Sequence, residues 1–287
     1  MKKLVTSALA VIALVFSGTT QAQNKSPELE NSLLWEVSGN GLSKSSYLYG
    51  TIHAICSKDY FLSEKTKKAF DASTELVLEI DLADPKEMAD MQQMAMGKEP
   101  LSKKLSPQQL AKLGVILEKA TGMTVKQVDA LSLATVMSLI AVKSFGCDDI
   151  KFYEMEFIEQ AKKRNIDIGG LETVKSQVKV LENAYTDDEL LNMLEGLNTS
   201  LTSESVAFYK TENIKGLYGV TVDEKMSSEK TNKIILDDRN GNWVKKMPQL
   251  MKNQSVFFAV GSAHLGGEYS VFNLLRKGRY KVKPIMN

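Results

Sequence analysis

The chain has 287 residues, 43% hydrophobic and 25% charged, which is the composition of a folded globular protein with a sizeable core and excludes a disordered one. Lysine and arginine (36) nearly balance aspartate and glutamate (35), so no basic surplus exists to recruit nucleic acid or an anionic membrane.

Lys2 and Lys3, the apolar run Leu4 to Phe16 and the small residues around Thr20-Gln21-Ala22 have the layout of a secretory signal peptide cleaved after Ala22. The run is short of the about 20 residues that span a bilayer. Cleavage takes the formal net charge from +1 to −1 and predicts a periplasmic or secreted protein free of the membrane, with residues 23–287 as one domain. In an oxidising compartment Cys56 and Cys147 either pair or remain two small buried thiols. A bond between them would tie the loop after His53 to the Phe145 to Asp148 turn.

Leu33 to Val37 and Ser46 to Ile52 read as a hairpin around a turn rich in glycine, serine and asparagine. Ser63 caps a predicted helix through Ala72. Leu76 to Ile80 is a strand apolar on both faces, which suits a buried parallel position. From Pro85 to Asn165 only helices are predicted: Pro85 to Met96, Pro107 to Thr121, Val125 to Leu131, Leu133 to Phe145 and Phe152 to Arg164. They form a helical insertion covering one side of the sheet. Its methionines at 88, 91, 94 and 96 are expected to fill a core or groove rather than to bind a soft metal. Ile166 to Leu171 is a short strand ending at Glu172, followed by helices at Val174 to Ala184, Asp187 to Thr199, Ser203 to Tyr218 with a break near Gly216, and Lys230 to Met251 interrupted at Asn240-Gly241. A strand at Val256 to Val260, a helix at Ser270 to Lys277 and a strand at Tyr280 to Ile285 close the chain.

Both histidines of the chain end a Gly-x-x-His that follows a β-like run: Gly50 to His53 and Gly261 to His264. A strand, helix, strand unit of this length crosses over right-handed, so the strands ending at His53 and Glu79 run parallel and finish at one edge. Ligands of open α/β sheets bind beyond that edge. The two glycines are expected to let the chain turn sharply as it leaves each strand. Imidazole and carboxylate together suit Mn²⁺, Co²⁺ or Zn²⁺ at His53, Glu79 and His264, and such an ion makes a hydroxide nucleophile and polarises a carbonyl. Glu79, buried on its strand, needs a partner. A metal ion would serve, and so would Arg239, which can grip a carboxylate through two N–H groups. Ser262 lies two residues from His264 off a strand end, where the two would rarely face each other.

These segments carry a resemblance. LYGTIHA, AFDASTELVLEIDL with Glu79, GLETVKSQVKVL with Glu172 and Gln177, DDRNGNWVKKM with Arg239, Asn240 and Trp243, and the closing VFFAVGSAHLGGEYSVFNLLRKGRYKVKPI are similar to the TraB/GumN/Tiki family over most of the mature chain. The resemblance implies an α/β fold of the erythromycin esterase/ChaN-like kind: a central mixed sheet with pseudo-twofold related halves, each with a strand ending in Gly-x-x-His. It implies a metal-dependent peptidase, since animal Tiki members are described as cobalt- or manganese-dependent proteases that clip Wnt proteins. Carried onto this chain, His53, Glu79 and His264 match the proposed catalytic constellation, and Arg239 and Asn240 a further polar motif. Glu172 or Arg239 would steady substrate or proton. Many bacterial relatives open the helix before the GLET segment with an aspartate; here Lys151-Phe152-Tyr153-Glu154 stands there, with Glu154 as the available substitute. The expected partner is a peptide or protein substrate. A non-catalytic peptide-sequestering protein, as in pheromone inhibition, is the alternative.

Overall fold

β1 (Leu34–Ser38) and β2 (Ser46–Thr51) form the expected hairpin, and its turn puts Gly39, Asn40 and Gly41 in left-handed conformations that glycine and asparagine tolerate best. The computed structural model describes residues 31–224 and 226–286; the expected signal peptide lies outside them. Beyond β2 the chain forms β3 (Ala54–Cys56), α1 (Glu64–Asp71) and β4 (Glu75–Ile80). Ser63 caps α1 by accepting the Thr66 N–H. The helical insertion follows: α2 (Pro85–Ala95), α3 (Leu101–Lys104), α4 (Pro107–Thr121), α5 (Val125–Val128) and α6 (Leu133–Lys143). β5 (Ile150–Phe152), α7 (Tyr153–Arg164), β6 (Asp167–Glu172) and α8 (Val174–Ala184) return the chain to the sheet. Then come α9 (Asp187–Gly196), α10 (Thr199–Lys210), α11 (Ile214–Thr221), α12 (Glu229–Asn232) and α13 (Asp238–Met251). β7 (Val256–Gly261), α14 (Val271–Lys277) and β8 (Lys281–Pro284) complete the fold.

The central sheet is mixed and six-stranded, in the order β6-β4-β7-β2-β1-β8. β6, β4, β7 and β2 are mutually parallel, whereas β1 runs antiparallel to both its neighbours. The two strands bearing Gly-x-x-His are therefore adjacent, with Thr51 opposite Gly261. β7 is buried along its whole length, as a central parallel strand should be. Phe70, Phe157, Phe257 and Tyr49 pack around its flank with ring centroids 5.2 to 5.9 Å apart.

Three features of the helices depart from the sequence prediction. The insertion does not lie flat on the sheet: Leu113, Leu117, Val128, Val136 and Ile140 form a separate core with Leu191 and Leu194 of α9. The break expected at Gly216 falls at Thr211 to Asn213, where Glu212 is left-handed and Asn213 caps α11; Gly216 instead lies where any Cβ would meet the Phe208 ring. Asn240-Gly241 does not interrupt its helix either. The irregularity is a π turn just before it, Lys233–Asp237. Met94 and Met96 line a groove of about 680 Å³ between α2, α6 and α8, away from the histidines, as expected of adaptable side chains, whereas Met88 and Met91 are exposed and fill neither core nor groove.

Cys56 and Cys147 form a disulfide across a sequence separation of 91 residues. It staples the far end of a small antiparallel sheet, β3 with β5, that the sequence did not reveal. Replacing either cysteine by serine is expected to cost about 4.6 kcal/mol, the loop-closure value for so long a loop. Thermal unfolding with and without reductant checks this, and an unchanged midpoint would contradict it.

Candidate active site

The parallel strands deliver their terminal residues to one edge in the order Glu172, Glu79, His264, His53, following β6, β4, β7 and β2. The two histidines thus converge as expected: His53 Nε2 and His264 Nε2 each lie 3.9 Å from Glu79 Oε1. The glycines of the two motifs serve close approach rather than a turn. A Cβ on Gly261 would stand 2.8 Å from His53 Nε2, and one on Gly50 2.8 Å from Leu265 Cδ1 and 3.1 Å from the Ser262 backbone. Each motif clears space for the other. The sharp turn is made by His53 itself, at φ 59°, a conformation costly for a non-glycine residue and typical of functional positions.

Arg239 is the hub. It sits at the start of α13, just past the π turn, and its Nη1 donates to the Ile235 carbonyl (3.1 Å). Its Nε donates to Glu172 Oε1 (2.8 Å), its Nη2 to Glu79 Oε2 (2.5 Å) and its Nη1 also to His264 Nε2 (3.1 Å). Trp243, one turn further on, stacks beneath the guanidinium and donates its indole N–H to the same Glu172 oxygen. Of the two partners foreseen for Glu79, the arginine is in direct contact with it. Glu79 also accepts from the Gly261 backbone N–H (2.8 Å) and from Gln177 (3.2 Å). Glu172 does not reach the histidines; it anchors Arg239. Asn240 is buried and orients His264, accepting at Oδ1 from Nδ1 (2.6 Å) while its amide donates to the Tyr269 carbonyl.

This network fixes the protonation states. A guanidinium can only donate, so His264 Nε2 accepts and Nδ1 carries the hydrogen. Burial pulls the His264 pKa down to about 3; Glu79 works against this, and Arg239 and His53 add to it. The ring is neutral at physiological pH. His53 is the opposite case: burial disfavours its charge, but Glu154 and then Glu79 outweigh it and raise the pKa to about 9. Its ring is 56% exposed, and Nδ1–H donates to Glu154 Oε1 (2.8 Å). Thr51 donates to that same oxygen (2.8 Å). Burial disfavours the Glu79 carboxylate's charge, yet Arg239, both histidines and the Gly261 N–H hold its pKa well below the usual range. Glu154 is thus a full member of the site. The signals for it were the acid at the head of α7 and the β3–β5 pairing, which brings that head beside His53.

The set does not fit a divalent ion as it stands. Among the described residues no three histidine, cysteine, aspartate or glutamate side chains are grouped so as to hold one. The outward lone pair of His264 is taken by Arg239, and both Glu79 oxygens already accept hydrogen bonds.

Both buried groups make the fold sensitive to acid. Between pH 3 and 6.5 the unfolded chain binds a proton at His264 that the folded chain refuses, so stability falls as pH drops through this window. Glu79, depressed when folded, contributes stability that is present above its ordinary value of 4.5 and lost below it. His53, raised when folded, contributes below 6.5 and loses that contribution as pH rises through about 9, a shallow limb because the ring is solvent-screened. Urea midpoints should therefore fall steadily from pH 7 to pH 4; a flat profile would refute the assignment.

No helix among the described residues is long and apolar enough to cross a membrane. The chain is similar to a "Metalloprotease TIKI homolog" of Nematostella vectensis, 23% identical over 89% of this chain and 67% of that protein. It is also similar to "Metalloprotease TIKI2" of Danio rerio (22%, over 88% and 61%) and of Xenopus tropicalis (24%, over 90% and 61%). It thus spans about three fifths to two thirds of the length of these relatives. A family profile matches residues 33–284, from the first strand of the central sheet to the last and across every residue of the site. The chain belongs to the TraB/PrgY/gumN family.

Proposed function

We propose that the chain is an exported peptidase that hydrolyses peptide bonds at the cleft between His53 and Glu79. The observation that carries this is the clamped and half-exposed ring of His53: Nδ1 is held by Glu154, and Nε2 faces the cleft. The 3.9 Å from Nε2 to Glu79 Oε1 is too long for a direct hydrogen bond and suits one water held between them. With its pKa raised to about 9, His53 acts through its neutral fraction, which grows as pH rises toward that value: the neutral ring takes a proton from that water as its oxygen bonds to the peptide carbonyl carbon. The imidazolium then returns the proton to the amine as the C–N bond breaks. Glu154 keeps the ring in the required tautomer and supports its positive charge, the task an orienting carboxylate performs in a catalytic triad. Glu79, held ionised by Arg239, orients the water and balances the charge on His53. The similar proteins named metalloproteases support amide hydrolysis. The Mn²⁺, Co²⁺ or Zn²⁺ implied by the resemblance has no part in these steps, because Glu79 and His264 would have to release their present partners to hold it.

Incubating the purified protein with a peptide mixture, with and without chelator, and reading the products by mass spectrometry tests this. New termini support the proposal, whereas peptides recovered bound and uncut would make the protein a sequestering one. Glu154→Gln is expected to lower kcat/KM by about 10- to 100-fold and to move the rising limb of the pH profile to lower pH, since the acid that raises the His53 pKa is gone. A limb that stays in place would remove Glu154 from the mechanism.

A further inference from the structure

We infer that Arg239 is the resident cation of this site and that it excludes a divalent metal ion from His53, Glu79 and His264. The inference rests on lone pairs and anchoring rather than on the peptidase proposal. A metal bond needs a lone pair directed at the ion. Neutral His264 has one, on Nε2, and Arg239 Nη1 occupies it at 3.1 Å; the other ring nitrogen is committed to Asn240. Glu79 Oε2 accepts from Arg239 and Gln177, and Oε1 accepts from the Gly261 N–H. Of the donor atoms of His53, Glu79 and His264 that could face an ion, His53 Nε2 alone lacks a hydrogen-bonding partner, and a single imidazole makes no metal site. The buried Glu172 Oε2 is also unpartnered, but its carboxylate is held by Arg239 and Trp243 through Oε1.

Nor can the guanidinium swing aside to admit an ion. Its side chain is 12% exposed, Nε is bound to Glu172, Nη1 is bound to the Ile235 carbonyl, and the indole of Trp243 lies against its face. Releasing one partner would leave the others in place, with a fixed positive charge still beside the incoming dication. The π turn at Lys233–Asp237 completes this holder, because it is the Ile235 carbonyl within the turn that receives Nη1. Arg239 thus does for the two carboxylates what an ion would do. It neutralises their charge and holds Glu79 toward both histidines, without offering a vacant coordination position.

Removing the arginine should then create the site that it blocks. Arg239→Met leaves Glu79, Glu172 and the His264 lone pair facing one volume with no guanidinium among them. Because removing Arg239 costs stability, Arg239→Met with Glu172→Gln provides a version with one buried charge fewer. The experiment is calorimetric titration with Zn²⁺, Mn²⁺ and Co²⁺, together with the visible absorption of bound Co²⁺ and the metal content of the protein as purified. Wild type is expected to hold far less than stoichiometric metal and to show no Co²⁺ spectrum. The variants are expected to bind roughly tenfold tighter or better than wild type, since freed carboxylate and imidazole donors are what such ions require. Stoichiometric metal in wild type, lost on His264→Ala, would overturn the inference, as would a folded variant that gains no affinity. If neither variant folds, the wild-type titration decides alone. None of these measurements reads peptide cleavage, so failure here leaves the peptidase proposal standing, and an uncleaved peptide leaves this inference standing.

Discussion

Arg239→Ala is expected to destabilise the fold by about 3–5 kcal/mol, the cost of removing one partner from a buried ion pair and leaving the other charge behind. Glu79 and Glu172 both depend on this guanidinium, and their side chains are only 12% and 10% exposed. Losing it also releases the His264 lone pair and uncovers the Trp243 face. The pH dependence should change sign in part. In the wild type Glu79 is held ionised, with Arg239 the foremost of the groups opposing burial, so its contribution to stability is lost as pH falls. In the variant burial acts with less opposition and raises the carboxyl pKa, so protonation relieves an unpaired charge and the deficit against wild type shrinks toward acid. Adding Glu79→Gln and Glu172→Gln should recover part of the loss at neutral pH. Urea unfolding at pH 7 and pH 5 reads both effects, and a deficit below about 1 kcal/mol would mean that the pairs are worth no more than surface ones.

Much of this site could be seen in the sequence because its parts sit at strand ends, where apolar runs of period and length make strands recognisable. β2, β4 and β7 were each marked by such a run, and Glu79, His53 and His264 followed as the polar residues that terminate them. Helix starts were equally clear where a side chain caps them: Ser63, Ser106 and Thr173 each accept a backbone N–H of the first turn. What could not be seen was set by contacts distant in sequence. β3 and β5 are three residues each, too short to show a pattern, and exist because they pair with one another and are pinned by the disulfide. Their pairing is what brings Glu154 to His53 across 101 positions. The roles of Gly50 and Gly261 were misassigned to turning for a related reason: the side chains they make room for belong to the other motif and to β4. That Arg239 reaches Glu79 also lay beyond one-dimensional reading. It depends on the π turn that aims the guanidinium, and nothing in Lys233 to Asp237 departs from an ordinary helical pattern.

His53→Ala is expected to reduce kcat/KM by about 10³-fold or more while changing stability little, since proton transfer by a placed side chain contributes about 10²–10⁴-fold. The two effects separate because the ring that carries the chemistry is the one that is 56% exposed, whereas His264, nearly sealed, belongs to the scaffold. Glu154 keeps the Thr51 hydroxyl as a donor in the variant and Glu79 keeps Arg239, so the loss falls on one carboxylate and is expected to be smaller than for Arg239→Ala. Truncation also relieves the left-handed conformation little, because alanine too resists φ 59°. Glycine at this position should therefore be the more stable of the two inactive variants. A folded His53→Ala protein that cleaves its peptide at the wild-type rate would place the reacting group elsewhere. A folded one that binds the peptide with unchanged affinity and leaves it whole would assign the ring to proton transfer rather than to substrate binding, since only the step that moves a proton depends on Nε2.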